Sequence, residues 1–265
     1  MLIKKPVIEI LWTGGFDSSF RVTQLSMLPV IIQPYYLSDH RPSENKELNA
    51  IEEISKLIKH KPETRCELLS LKMIQSNERI ISKEVTDAYF KITRKHHLGS
   101  QYEFLGSFAT EHPGIEIGIN DWSGFHNKFG SLTKVTSHPI GEYFIYDLEH
   151  SPKELHVLFQ NYHFPIAFMT KLDIMKNYLK LCCEDVMNLT WFCFTPINGL
   201  PCGMCTPCRL TIEGGVKARF SNAALRRYWT RKYFSPLLKF ESRIIKIIKR
   251  VIRKIRSYCQ RRDDK

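Results

Sequence analysis

The opening of the chain constrains its fold most. An apolar, partly β-branched run, Val7–Trp12, meets the turn Thr13-Gly14-Gly15, and Ser18–Met27 then has the composition of a helix. Strand, glycine turn and helix in that order begin a βαβ unit, and the chain continues in the same alternation. Val30–Leu37 (VIIQPYYL) reads as a second strand, weakened as a central strand by Pro34, which has no N–H to give. Asn45–His60 carries helical periodicity through Leu48, Ile51, Ile54, Leu57 and Ile58. Glu67–Met73 reads as a third strand, Asn77–His97 as a mixed and partly helical stretch, Gln101–Glu111 as a short helix and Ile115–Asn120 as a fourth strand. Ser131–Ser151 is ambiguous apart from a strand near Tyr143–Leu148. Lys153–Gln160 and Lys171–Leu181 read as helices, the second N-capped by Thr170. Ala223–Arg262 reads as helical with a break near Pro236. The expected fold class is α/β, a mostly parallel sheet with helices on both faces.

A length of 265 residues suits one large domain of this class with a small appendage. The formal net charge is +12, but residues 1–200 hold 21 basic and 23 acidic groups, whereas residues 201–265 hold 18 and 4. This excludes a uniformly basic, nucleic-acid-binding coat over the first three-quarters of the chain and places the excess charge at its C-terminal end. No apolar run reaches the 18 or more residues of a spanning helix. The first residues, MLIKKPVIEILW, lack a small-residue cleavage pattern and read as a strand, not a signal peptide, so a cytoplasmic location is expected.

The glycine turn has the chemistry of an anion site. Gly14 and Gly15 let a ligand approach the backbone. The hydroxyls of Thr13, Ser18 and Ser19 and the amides of the following helix start can hold phosphate oxygens, and Asp17 can hold a Mg²⁺ ion. The segment is neither G-x-x-x-x-G-K-[ST] nor G-x-G-x-x-G; read on spacing alone, an ordinary βα turn remains an alternative.

Cysteine supplies the second constellation. Five of the eight cysteines lie within the 26 residues from Cys183 to Cys208. Cys193, Cys202, Cys205 and Cys208 are spaced so that four thiolates can surround one ion, as in a closed, structural Zn²⁺ site. An iron–sulfur cluster is the alternative metal, although the further x3-Cys-Pro of the ferredoxin run is absent after Cys208. Gly203 eases the turn between the first close pair. Cys66, Cys182 and Cys183 read as small buried residues, and Cys259 lies in the polar tail.

The turn TGGFDS resembles the pyrophosphatase loop S-G-G-x-D-S of the adenine nucleotide alpha-hydrolase-like superfamily, with Thr13 in place of the first serine. Cys193-x8-Cys202-Gly-Met-Cys205-Thr-Pro-Cys208 with Arg209-Leu210 behind it resembles the cysteine run of the 7-cyano-7-deazaguanine synthases within that superfamily. Arg41, Glu47 and Ala50, the segment Ile115–Ile119, and Thr170-Lys171 with Ile174 resemble further pieces of that family, over about residues 7–215. Two regions depart from its pattern. The loop after Asn120, DWSGFHNKFGSL, has no cysteine–arginine pair, and residues 77–110 lack the usual arginine–asparagine signature.

The resemblance implies a Rossmann-like ATP pyrophosphatase domain over 1–215, including the zinc-binding segment 193–208, followed by a basic helical extension over 216–265. It implies an ATP- and Mg²⁺-dependent ligase that adenylates the carboxylate of 7-carboxy-7-deazaguanine, releases pyrophosphate, and uses ammonia to reach the amide or nitrile. The implied nucleotide stretch runs from Leu11, Trp12 and Thr13 through Gly14, Gly15 and Phe16 to Asp17, Ser18 and Ser19. Asp17, Ser18, Arg41 and Lys171 form the implied catalytic set. Phe16, Trp122 and Trp191 are candidates for an aromatic slot around the heterocycle, each with core packing as the alternative. Two other functions fit the same residues: transfer of the activated deazapurine to a protein or other macromolecule in a modification or defence pathway, and a zinc-stabilised nucleotide-fold binding protein without catalysis. The tail beyond 239 repeats Ile244, Ile248, Val251, Ile252 and Ile255 among basic residues. Such a helix can pack on the parent domain, form a homodimer, dock a protein partner, follow a nucleic-acid backbone or touch an anionic membrane, with nucleic acid not favoured.

Overall fold

The computed structural model describes residues 5–122 and 128–234; the isoleucine stripe of the tail and Cys259 lie outside these. β1 (Val7–Leu11) leads to α1 (Phe16–Ser26), and β2 (Ile31–Leu37) to α2 (Glu44–His60). Two short strands, β3 (Glu67–Leu68) and β4 (Lys72–Ile74), stand where a single strand was expected. α3 (Lys83–Thr93), α4 (Gln101–Glu111) and β5 (Ile115–Glu116) follow. Next come a hairpin of β6 (Leu132–Ser137) and β7 (Gly141–Tyr146), α5 (Lys153–Phe159) and β8 (Tyr162–His163). The chain continues through α6 (Lys171–Lys180), α7 (Glu184–Leu189), α8 (Thr206–Glu213) and α9, a helix over 222–234.

The sheet has eight strands in the order β3-β2-β1-β5-β8-β7-β6, with β4 also paired to β2. Pairs among β1, β2, β3, β4, β5 and β8 are parallel, while β6–β7 and β7–β8 are antiparallel. The fold is therefore mixed α/β with a mostly parallel sheet. The hairpin was hidden in the sequence because β6, Leu-Thr-Lys-Val-Thr-Ser, is an edge strand with polar, exposed positions. An edge of that composition resists pairing with other chains.

Proline 34 explains the split strand. β2 is interior, with β1 on one side and β3 and β4 on the other, which corrects the expectation that Pro34 disfavours a central position. Val30, Ile32 and Ser38 direct their backbone bonds toward β3 and β4, through Glu67 N–H to Val30 O (2.9 Å), Leu69 N–H to Ile32 O (3.0 Å) and Ser38 N–H to Ile74 O (2.9 Å). By that alternation Pro34 faces the gap between the two short strands, so its missing N–H breaks no ladder bond. The Gln33 Nε2 amide bridges the gap, donating to Pro34 O (3.1 Å) and Ser70 O (3.2 Å).

Alternation along the strands sends side chains to two cores. Ile8, Ile10, Trp12, Ile32 and Tyr36 join α1, α2, α6 and α7 in one; Leu11, Tyr35 and Leu37 join α3, α4 and α5 in the other. A third cluster of Cys193, Cys202, Cys208, Ile212, Phe220, Ala224 and Tyr228 forms around the cysteines. The boundary expected at residue 215 falls inside it. Among the described residues no helix is long and apolar enough to cross a membrane.

Candidate functional site

β1 has β2 on one side and β5 on the other, and the chain leaves β1 outward through β2 before returning at β5. A crevice opens at the carboxyl ends of strands where the order reverses in this way. Here it is a cavity of about 880 Å³, within the range of small-molecule sites. Leu11 at the end of β1, Leu37 at the end of β2, and Ile117 and Gly118 just past β5 form its floor.

The glycine turn sits at the mouth of this floor. Gly14 has φ +64°, and a Cβ there would lie 2.6 Å from Glu47 O, so only glycine fits. Its carbonyl accepts from Trp191 N–H (2.8 Å). Gly15 is the N-cap of α1 and makes no side-chain cap, leaving the first-turn amides open to an anion. Thr13 Oγ1 and Ser18 Oγ lie 3.4 Å apart at the same point, and both residues line the cavity. Ser19 does not: it is fully buried, and its Oγ accepts from Trp12 Nε1 (2.9 Å). Phe16 is buried against Tyr178, with ring centroids 5.5 Å apart.

A second helix start meets the first. Thr170 caps α6 through a reciprocal pair with Asp173, and the Thr170 hydrogen bonds hold the Asp173 carboxyl below its ordinary range. The cap places Lys171 at the cavity wall, where its Nζ pairs with Asp17 Oδ2 and lies 5.5 Å above the Phe16 ring. The other carboxylate oxygen of Asp17, Oδ1, is buried and has no hydrogen-bond partner among the described residues. An acceptor-only atom left this way suits a cation.

Arg41 lines the cavity from the β2 side. Its Nε donates to Asp39 Oδ1 (2.8 Å), its Nη1 stands 3.8 Å from Glu47 Oε1, and its guanidinium lies 5.4 Å over Phe194. Burial opposes its charge, but Glu47 and Asp39 outweigh burial and raise its pKa. Glu47 is buried and accepts from Tyr36 Oη (2.9 Å) and Ser43 Oγ (2.7 Å), so its carboxylate is already engaged.

The aromatic wall differs from expectation. Tyr35, Tyr102 and Phe104 line the cavity, and Phe16, Trp122 and Trp191 do not. Trp122 is buried and donates Nε1 to Gly130 O (3.0 Å), while Trp191 donates Nε1 to Cys193 O (2.8 Å). Behind Phe104 lies Arg79, its guanidinium 3.9 Å from the ring centroid and one Nη donating to Ser38 O; burial lowers its pKa. No motif marks Tyr102 or Phe104, because they meet the cavity only once α4 packs beside the sheet.

The four cysteines named from their spacing converge. Their sulfurs all lie within 4.8 Å of one another, with Cys202–Cys208 at 3.8 Å and Cys193–Cys205 at 3.9 Å. A tetrahedron of thiolates around Zn²⁺ at about 2.3 Å has edges of about 3.8 Å. Backbone N–H groups point at the sulfurs, Cys202 at Cys193 Sγ (3.2 Å) and Met204 and Cys205 at Cys202 Sγ (3.2 and 3.3 Å). Hydrogen bonding among the sulfurs lowers the Cys205 pKa and raises those of Cys193 and Cys208. The group can hold a metal ion such as zinc. Cys183 is buried with α1 and α2, away from the cluster. No protein-family model matches the chain, and it has no significant match among curated proteins.

Proposed function

We propose that the cavity is the active site of an ATP-dependent ligase that adenylates the carboxylate of a 7-deazapurine such as 7-carboxy-7-deazaguanine. The observation that carries this reading is the meeting of two helix N-termini, an uncapped glycine turn and Lys171 around one crevice at the strand ends. Such a place suits a polyphosphate. The choice of acceptor comes from the resemblance of the turn and cysteine run to the deazaguanine synthases, and an apolar wall of Tyr35, Tyr102 and Phe104 suits a flat heterocycle.

In this reading the first-turn amides of α1, with Thr13 and Ser18, hold the phosphates. Lys171 and Arg41 offset the charge of the leaving pyrophosphate. Asp17 would hold Mg²⁺ through Oδ1, and the ion would supply further neutralisation of the phosphates. The substrate carboxylate attacks the α-phosphorus, the bond to the β-phosphate oxygen breaks, and pyrophosphate leaves with the electron pair. Ammonia then adds to the acyl carbon, loses a proton, and AMP departs to give the amide. A second ATP activates the amide oxygen in the same way; loss of AMP and the remaining protons gives the nitrile. The protein's part is mainly alignment and electrostatics, because each displacement must be in line.

The test is incubation with 7-carboxy-7-deazaguanine, ATP, Mg²⁺ and ammonia, followed by mass measurement of products. AMP with amide or nitrile is expected, and Asp17→Ala should slow AMP release by about a hundredfold or more. No AMP above the rate without the deazapurine would overturn the ligase reading. AMP without amide or nitrile would replace ammonia by another acceptor.

A further inference from the structure

Two stretches of chain run from the cysteine cluster to the cavity. The first is short. Cys193 is two residues from Trp191, whose N–H donates to Gly14 O (2.8 Å) and whose carbonyl lies 3.5 Å from where a Cβ on Gly15 would stand. Trp191 Nε1 closes back on Cys193 O (2.8 Å), which ties its ring to the backbone of the metal ligand. On the other side of Cys193, Phe194 lies beneath Arg41. Arg219 fixes the start of the segment, donating from Nη1 to Thr190 Oγ1 (2.7 Å) and from Nη2 to Thr190 O.

The second stretch is α8. Cys205 is its N-cap and Cys208 sits in its first turn, while Leu210, Glu213, Gly214 and Gly215 at its far end line the cavity. Gly214 stands against Lys171, 3.3 Å from its side chain when measured from an ideal Cβ. Short stretches of chain thus connect the four cysteines to the glycine turn and to the end of α8 that lies against Lys171. No disulfide joins them, so a bound ion is the natural cross-link between the two stretches.

We propose that the metal held by Cys193, Cys202, Cys205 and Cys208 orders the glycine turn, through Trp191 and α8, so that anion affinity of the cavity follows metal occupancy. Trp191 is a positioning residue here, acting by its backbone N–H on Gly14. The affinity half of this statement rests on the nucleotide reading above; the ordering half does not.

Hydrogen exchange read by mass spectrometry on the full chain, zinc-loaded and chelator-stripped, tests the ordering directly. Peptides covering residues 11–19 and 189–195 should exchange roughly tenfold faster once the metal is gone, the scale of losing a backbone hydrogen bond or two. Peptides within β2 and α2 should not change. Unchanged exchange at 11–19 would overturn the proposal, and so would equal acceleration across β2 and α2, which would make the ion a support of the whole fold. Trp191→Pro removes the donor N–H and Trp191→Ala keeps it. At full zinc content the first should speed exchange at 11–19 and the second should not; protection retained in Trp191→Pro would overturn the role of this residue. MgATP titration of the same samples separates the two readings. If zinc-loaded protein binds MgATP, stripping should weaken it by a similar factor, and an unchanged affinity overturns the affinity half. If zinc-loaded protein binds none, the ligase reading and the affinity half fall together while exchange still decides the ordering.

Discussion

Arg21 on α1 and Glu116 on β5 form the most deeply buried ion pair described here, a two-bonded fork with both contacts at 2.7 Å and side chains 5% and 2% exposed. Removing one partner strands the other charge in the core, so Arg21→Met should lower unfolding free energy by about 3–5 kcal/mol. Adding Glu116→Leu to that variant should restore most of the loss, because a buried pair exchanged for apolar groups is close to neutral. Urea unfolding of the three proteins checks this, and a double variant no better than the single would refute it. His163, beside this pair and with its ring 4.3 Å from that of Tyr143 at a tilt of 34°, is pushed below the ordinary value of 6.5, chiefly by burial. The unfolded chain therefore binds a proton near 6.5 that the folded chain refuses. Stability tied to this group is complete above 6.5 and declines as pH falls from there toward the depressed folded value. Wild-type protein should lose stability relative to His163→Gln between about pH 7.5 and about pH 5.5. Parallel unfolding curves for the two proteins across that range would show that His163 does not carry it.

At the scale of elements, Gly203 decides how α9 meets the cysteine segment. It has φ +77°, and a Cβ would fall 2.1 Å from Ala224 O. The close approach lets Arg227 Nε donate to Cys202 O (2.8 Å) and Arg231 Nη1 to Met204 O (2.9 Å). Gly203→Ala combines a strained φ with overpacking and should cost about 2–5 kcal/mol. A melting temperature within about a degree of wild type would contradict it. The helix starts were easier to read than the strands. Thr170 was visible as a cap because its type and position suffice, and the reciprocal bond with Asp173 follows from spacing. The break between β3 and β4 and the edge strand β6 were not, since two- or three-residue strands and a polar edge have no periodicity to detect.

For the whole molecule, the third cluster carries the described packing past residue 215. Phe220, Ala224 and Tyr228 cover Cys193, Cys202 and Cys208, and Tyr228 Oη donates to Glu213 Oε1 (3.1 Å). A chain stopped at residue 215 would expose that cluster and should hold zinc more weakly than the full chain under chelator competition; equal retention would show that the cover is dispensable. The sequence by itself determined the alternating α/β order, the glycine turn and the four thiols, because strand and helix periods, φ requirements and ligand spacing are local properties of the chain. It also showed that the positive charge gathers beyond residue 200. Only the tertiary structure decided which side chains share a wall. It turned Ser19, Phe16, Trp122 and Trp191 away from the cavity, brought Tyr102 and Phe104 to its wall with Arg79 behind Phe104, and laid a backbone bond from the cysteine segment to Gly14. Those outcomes depend on how α4, α8 and the segment before Cys193 pack against the sheet, and contacts between distant segments leave no period or spacing in the sequence.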